Sequence, residues 1–175
     1  KYYKYVKKLI AHGIEKNKKF PWKREAILPG HNFRMPNHLA ALGISQLKKL
    51  EFFNKKRNKI AKSYNEFFKK FPNIFKVQQV PKNFTHSYQM YTLRVRNNYR
   101  DSFLNFLNNK KIEASVHFFP PLHKQKYLSK FNKKNLKNTE ILMREIITLP
   151  MSPHLSQKQV NHVKNISFKW LKKFK

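Results

Sequence analysis

The chain has 175 residues, 40% apolar and 15% aromatic with 16 Phe, which suits about one domain with a real core. The absence of Cys excludes disulfides, thiolate metal sites and Cys nucleophiles, and fits a reducing, cytoplasmic setting. With 39 Lys+Arg against 8 Asp+Glu, a net charge of +31, acids are too few for paired-carboxylate chemistry and the field favours an anionic ligand.

That charge has two readings. Nucleic-acid binding is one, since Lys and Arg neutralise phosphates. Compositional drift is the other: Lys, Asn, Ile and Phe are abundant while Gly and Arg are scarce. The lysines lie along nearly every segment instead of forming a stripe, and Arg, the usual base-edge residue, is rare, so drift is favoured and no specific nucleic acid is expected. No run approaches the roughly 18 apolar residues of a membrane span, so no membrane partner is expected.

In chain order, residues 2–12 repeat apolar side chains at Tyr2, Val6, Leu9 and Ile10, a helical spacing that Gly13 stops. This start lacks the apolar core of a signal peptide and reads as a helix entered midway, so the chain is expected to be a fragment. Residues 15–29, with Pro21 and Trp22, read as a polar loop. From Asn37, a candidate N-cap, one face carries Leu39, Gly43, Leu47, Leu50, Phe53, Ile60, Tyr64 and Phe67. That pattern predicts one helix of roughly 30 residues, about 45 Å long. Pro72 follows it.

The second half changes rhythm. Residues 88–95 alternate as a half-buried strand, residues 98–109 form a short helix with Phe103, Phe106 and Leu107 inward, and residues 112–118 read as another strand before Pro120 and Pro121. Residues 139–147 are expected to be helical, with a short extended piece at Leu149 and Pro150. Ser156 and Gln159 form a capping box for a last helix that buries Val160, Val163, Ile166 and Trp170. The class is α+β, a small sheet covered by helices.

Chemistry has few footholds. The eight His show neither H-x-H nor H-x-x-x-H spacing, so no metal site is nominated. Three Gly are too few for a phosphate loop, and no serine-hydrolase motif is present. Two Pro-stiffened loops remain, GHNFRMP at 30–36 and HFFPPLH at 117–123. From their residues alone, each is either an ordinary surface turn or a binding loop.

At these residues the sequence resembles the C-terminal part of the DegT/StrS-type nucleotide-sugar aminotransferases, pyridoxal-phosphate enzymes of fold type I. The family's G-Y-N-Y-R-M run stands here as Gly30-His31-Asn32-Phe33-Arg34-Met35. Its A-A-x-G-x-x-Q-L helix stands as Ala40-Ala41-Leu42-Gly43-Ile44-Ser45-Gln46-Leu47. Arg57 and Tyr64, then Val116-His117-Phe118 with Pro121-Leu122-His123, then Leu149-Pro150-Met151-Ser152-Pro153 follow in the family's order.

The resemblance implies a cytoplasmic homodimer with its active site at the subunit boundary, acting in cell-surface polysaccharide or amino-sugar biosynthesis. Asn32 would reach across to the phosphate of pyridoxal 5'-phosphate, its amide donating to an oxygen. Arg34 would fix the loop or help at the same anion. His117 and His123 would line the nucleotide-sugar pocket. His31 stands where the family has Tyr. The Schiff-base Lys and the pyridinium-pairing Asp lie, in the family, upstream of the helix that begins here, so no catalytic residue is nominated and the fragment alone is expected to be inactive.

The domain division implied is the end of the large cofactor domain over 1–36, a long connecting helix over 37–71 and a small C-terminal domain over 72–175. The complete enzyme would transfer an amino group, from a donor such as glutamate, to a keto group of a nucleotide-linked deoxysugar. The alternatives are a basic nucleic-acid-binding module and a non-catalytic interaction domain.

Overall fold

A computed structural model describes residues 2–16, 18–20, 22–131 and 136–174. They fall into two compact units, residues 1–49 and 50–175, so the division falls inside the expected connecting helix. Pro21 lies outside the described residues.

The first unit begins with helix α1 (Tyr2–Leu9), stopped at Gly13, whose φ of +70° lies in the left-handed region open to glycine. Residues 15–29 are not simply a loop. Strands β1 (Ile14–Lys16) and β2 (Arg24–Ala26) pair antiparallel, Ile14 opposite Ala26. All three β2 residues are exposed, so no buried face marked this hairpin in the sequence.

Helix α2 (Asn37–Leu47) corrects the cap. Pro36 is the N-cap, extended at φ −62° and ψ 147°, and its carbonyl accepts the Ala40 N–H at 3.0 Å; Asn37 is already helical. The expected 30-residue helix is two. α2 ends at Leu47 and α3 (Leu50–Phe68) begins after a turn at Lys48 and Lys49. Lys49 N–H bonds Gln46 O at 3.0 Å, three residues back, which tightens the backbone where a straight helix would bond four back. Along the predicted stripe, Leu39, Leu47 and Leu50 are exposed, whereas Ile60 and Tyr64 are buried. α3 also buries Ala61 and Phe68, while Phe67 is half-buried.

The second unit is built on an antiparallel sheet of order β3-β4-β5: β3 (Phe75–Val77), β4 (Tyr91–Val95) and β5 (Ile146–Leu149). Facing pairs share a side of a sheet. Phe75 opposes Val95, Val77 opposes Leu93, Ile147 opposes Leu93 and Leu149 opposes Tyr91. All seven are buried, so one face is continuous core. Helices α3, α4 (Arg100–Asn109) and α6 (Gln157–Leu171) meet that core. Trp170 lies 4.8 Å from Phe103 and 6.2 Å from Phe75, ring centre to ring centre, and Tyr64 of α3 lies 4.9 Å from Tyr91. Such aromatic pairs add about 0.5–1.5 kcal/mol each beyond their area. Phe103 and Leu107 are inward as expected, and Phe106 is half-buried. The capping box of Ser156 and Gln159 opens α6, which buries Val160, Val163, Ile166 and Trp170.

Three elements differ from their patterns: the strand expected over residues 88–95 forms only at Tyr91–Val95, Tyr88 having a φ of +46°, and two others change type or extent. Residues 112–118 make a single bridge, Ser115 to Thr148, rather than a strand. Their backbone is claimed by the end of α4: Ile112 N–H bonds Leu107 O, and Ala114 N–H bonds Asn108 Oδ1, both at 3.0 Å. Helix α5 (Lys137–Glu145) stops before Ile146, which turns extended at ψ 142°. Ile146 and Ile147, expected helical, join β5. β-branched side chains favour a strand, and Ile147 gains burial against Leu93.

Inside the core the Tyr64 hydroxyl donates to Pro150 O at 3.2 Å and Tyr91 donates to Asn65 Oδ1 at 2.8 Å. Burial pushes both phenols far up, and Tyr88 and Tyr64 add to the rise at Tyr91. The unfolded chain therefore sheds these protons first, at the ordinary phenol value of about 10, so the stability they confer is complete below that pH and is lost above it. Urea unfolding followed between about pH 10 and pH 11 should show stability falling in the native protein at least about 1 kcal/mol per pH unit more steeply than in a Tyr64→Phe, Tyr91→Phe double variant, with no difference in slope near neutral pH. Equal slopes would contradict the burial of the two phenols.

Candidate functional site

The Asn32 run is held by backbone. His31 N–H bonds Leu9 O at 2.8 Å, His12 N–H bonds His31 O at 3.0 Å and Phe33 N–H bonds Ile10 O at 3.0 Å, closing a bridge between Ala11 and Asn32. Glycines permit the approach. A Cβ on Gly30 would meet Gly13 N at 2.1 Å, and one on Gly13 would meet Leu28 O at 1.8 Å. The His31 and Phe33 rings stack at 5.0 Å, which aims the intervening Asn32 to the other side of the extended chain. Asn32 is exposed, and its amide has no hydrogen bond among the described residues.

Arg34 is exposed too, and lines a cleft of about 550 Å³ with Lys4, Lys7, Lys8 and Glu15. Lys8 pairs with Glu15, leaving the cleft with an excess of positive charge. Asn32 is not among the residues lining that cleft; its exposed amide and the cleft's excess of cations are each of a kind that a phosphate group can accept hydrogen bonds from.

In the second unit, the 117–123 loop presents apolar side chains outward: Phe118, Phe119 and Leu122 are 74%, 60% and 75% exposed. The Arg100 guanidinium lies 5.8 Å from the Phe119 ring centre, and Gln125 Nε2 donates to Pro120 O at 2.7 Å. The two histidines part company. His117 is exposed, its ring edge-on to Phe118 at 5.3 Å. His123 is half-buried, with Nε2 3.5 Å from Glu140 Oε1, while Lys124 Nζ donates to Glu140 Oε2 at 2.9 Å. Lys124 foremost, and then His123, hold the Glu140 carboxyl below the usual carboxylate range.

Glu140 and Lys124 escaped sequence reasoning because their pairing spans 16 positions and follows no local motif. The available signal was scarcity, since a half-buried carboxylate is conspicuous among 8 acids and 39 cations. Asn32 and Arg34 belong to the first unit and His117 and His123 to the second. Among the described residues no group of three His, Asp or Glu is placed to hold a metal, and no helix is long and apolar enough to cross a membrane.

The chain is 30% identical, over 97% of its length, to the UDP-4-amino-4,6-dideoxy-N-acetyl-beta-L-altrosamine transaminase of Helicobacter pylori, covering 45% of that protein. It is also 30% identical, over 81% of its length, to the dTDP-3-amino-3,6-dideoxy-alpha-D-galactopyranose transaminase of Aneurinibacillus thermoaerophilus, covering 38% of it. The solved structure of Helicobacter pylori PseC, an aminotransferase involved in the biosynthesis of pseudoaminic acid, superposes with a TM-score of 0.85 at 27% identity. That match covers 96% of this chain and 45% of PseC. The chain thus spans less than half the length of these relatives. With the family model matching residues 1–167, the chain belongs to the DegT/DnrJ/EryC1/StrS aminotransferase family.

Proposed function

We propose that this chain is the C-terminal part of a pyridoxal-phosphate-dependent transaminase that moves an amino group, from a donor such as glutamate, to a keto group of a nucleotide-linked deoxysugar. The carrying observation is the similarity to a nucleotide-sugar transaminase along 97% of the chain, with the Asn32 run pinned and its amide facing outward. Polypeptide upstream supplies the cofactor-anchoring lysine and the acid that pairs with the ring nitrogen. The active protein is a cytoplasmic homodimer, and its product feeds cell-surface polysaccharide or amino-sugar synthesis.

Each part of this chain has a binding task. The Asn32 amide donates to a phosphate oxygen of the cofactor, and Arg34 neutralises part of the phosphate charge. Bound pyridoxal phosphate supplies the carbonyl that takes up an amine and the ring that accepts its electron pair. The 117–123 loop meets the nucleotide sugar, with His117 free to donate and the exposed Phe118 and Phe119 excluding water from the reacting end. A strongly positive surface raises the encounter rate of a dianionic nucleotide diphosphate.

The complete protein, given glutamate and a UDP- or dTDP-linked keto-deoxysugar, should release 2-oxoglutarate in step with an aminated sugar nucleotide, while the 175-residue chain with added cofactor stays inert. Cofactor retention with no amination of either acceptor would defeat the substrate assignment. Turnover by the isolated chain, abolished by one Lys substitution within it, would defeat the fragment assignment. The nucleic-acid alternative needs sequence-selective DNA binding, in place of the salt-sensitive and indifferent association that scattered lysines give.

Asn32→Ala isolates the phosphate contact. A hydrogen bond to a charged group is worth about 1.5–3 kcal/mol. Cofactor affinity of the complete protein should therefore weaken by roughly ten- to a hundredfold. Thermal stability of the cofactor-free protein should hold, because the amide bonds nothing in the fold among the described residues. Lost stability with affinity within about twofold would make Asn32 a loop brace.

A further inference from the structure

The geometry points to Glu140 as a positioning residue that clamps the 117–124 loop through Lys124 and His123 and so orients it toward the nucleotide sugar. This rests on the function proposed above. Lys124 Nζ donates to Glu140 Oε2 at 2.9 Å, while His123 Nε2, buried and without a hydrogen-bond partner among the described residues, lies 3.5 Å from Oε1. Both partners sit in the single turn Leu122–Lys124 that ends the loop, while Glu140 sits on α5. The side chains of Glu140 and His123 are 19% and 12% exposed, while Lys124 keeps 39% of its side chain in solvent.

The loop needs such an anchor because it offers little else to hold it. Phe118, Phe119 and Leu122 point outward and bury little surface, and the Gln125 to Pro120 bond staples the loop only to itself. Among the described residues Arg100 over Phe119 is a further tie, to α4. Glu140 links the turn to α5, which runs directly into β5. The depressed acidity of its carboxyl agrees with a charge held by Lys124 first and His123 second. In this arrangement His123 acts through Glu140 on the loop, and the sugar-facing histidine is His117.

The test uses Glu140→Gln and Glu140→Asp in the complete protein. Amide hydrogen exchange at Lys124 and Gln125, whose N–H groups bond Pro121 O and Leu122 O, should accelerate about three- to tenfold in Glu140→Gln. Exchange at Leu93 and Thr148 in the sheet should stay unchanged. KM for the nucleotide sugar should rise about fivefold with kcat and the glutamate half-reaction near native values, and Glu140→Asp should restore part of the loss. Unchanged loop exchange would overturn the clamp, and so would acceleration spread across the sheet, which marks a general structural role. Faster loop exchange with an unaltered KM would overturn the orienting role. Absence of transamination in the unsubstituted protein would refute the proposed reaction and not the clamp, which the exchange data decide by themselves.

Discussion

The second unit depends on one buried face of a three-stranded sheet. Phe75, Val77, Tyr91, Leu93, Val95, Ile147 and Leu149 stand on the same side because the antiparallel register sets them opposite one another. A slip of one residue would turn all of a strand's apolar residues outward, so the register is strongly specified. Strand β5 carries this constraint to the loop. Ser115 and Thr148 exchange backbone hydrogen bonds of 3.1 and 2.7 Å just before the loop begins. α5, which holds Glu140, ends where β5 starts, and its last residue, Glu145, pairs with Arg94 of β4. The entry of the loop and its proposed clamp therefore hang from the same strand.

The first unit solves a different problem with glycine. Asn32 sits on a backbone that needs Gly30 and Gly13 within a distance no side chain would allow, and Gly13 needs a positive φ as well. Two of the three glycines in the chain are spent here. That expenditure makes physical sense where a short polar side chain must be presented at a fixed place.

Legibility followed the size of the physical signal. α6 was readable because a capping box precedes an apolar face of Val160, Val163, Ile166 and Trp170 that is buried throughout. β4 was readable because it alternates over five residues. β3, three residues long, is too short to show a period, and β2 has no buried face to show one. Ile146 and Ile147 extended a helical pattern until tertiary contact with Leu93 overrode it. The long stripe from Leu39 marked helical residues but neither the break between α2 and α3 nor the burial, since Leu39, Leu47 and Leu50 are exposed. Asn32 and the 117–123 loop were visible as odd composition, and the roles proposed for them rest on family resemblance. Glu140 stood out only as one of 8 acids, because an ion pair across 16 positions leaves no spacing in the sequence.

We propose that Asn32 completes a cofactor site held mainly by the other subunit of a dimer. Subunit mixing tests it most directly. One variant of the complete protein lacks the cofactor-anchoring lysine, the other carries Asn32→Ala, and each is assayed alone at a cofactor concentration that leaves the second one empty. If the site is shared, a hybrid dimer holds one native site, so random reassociation of equal amounts should restore about a quarter of native activity. Mixtures that stay as inactive as the separate variants, with hybrid dimers shown to have formed, would place Asn32 in its own subunit's site and contradict the account.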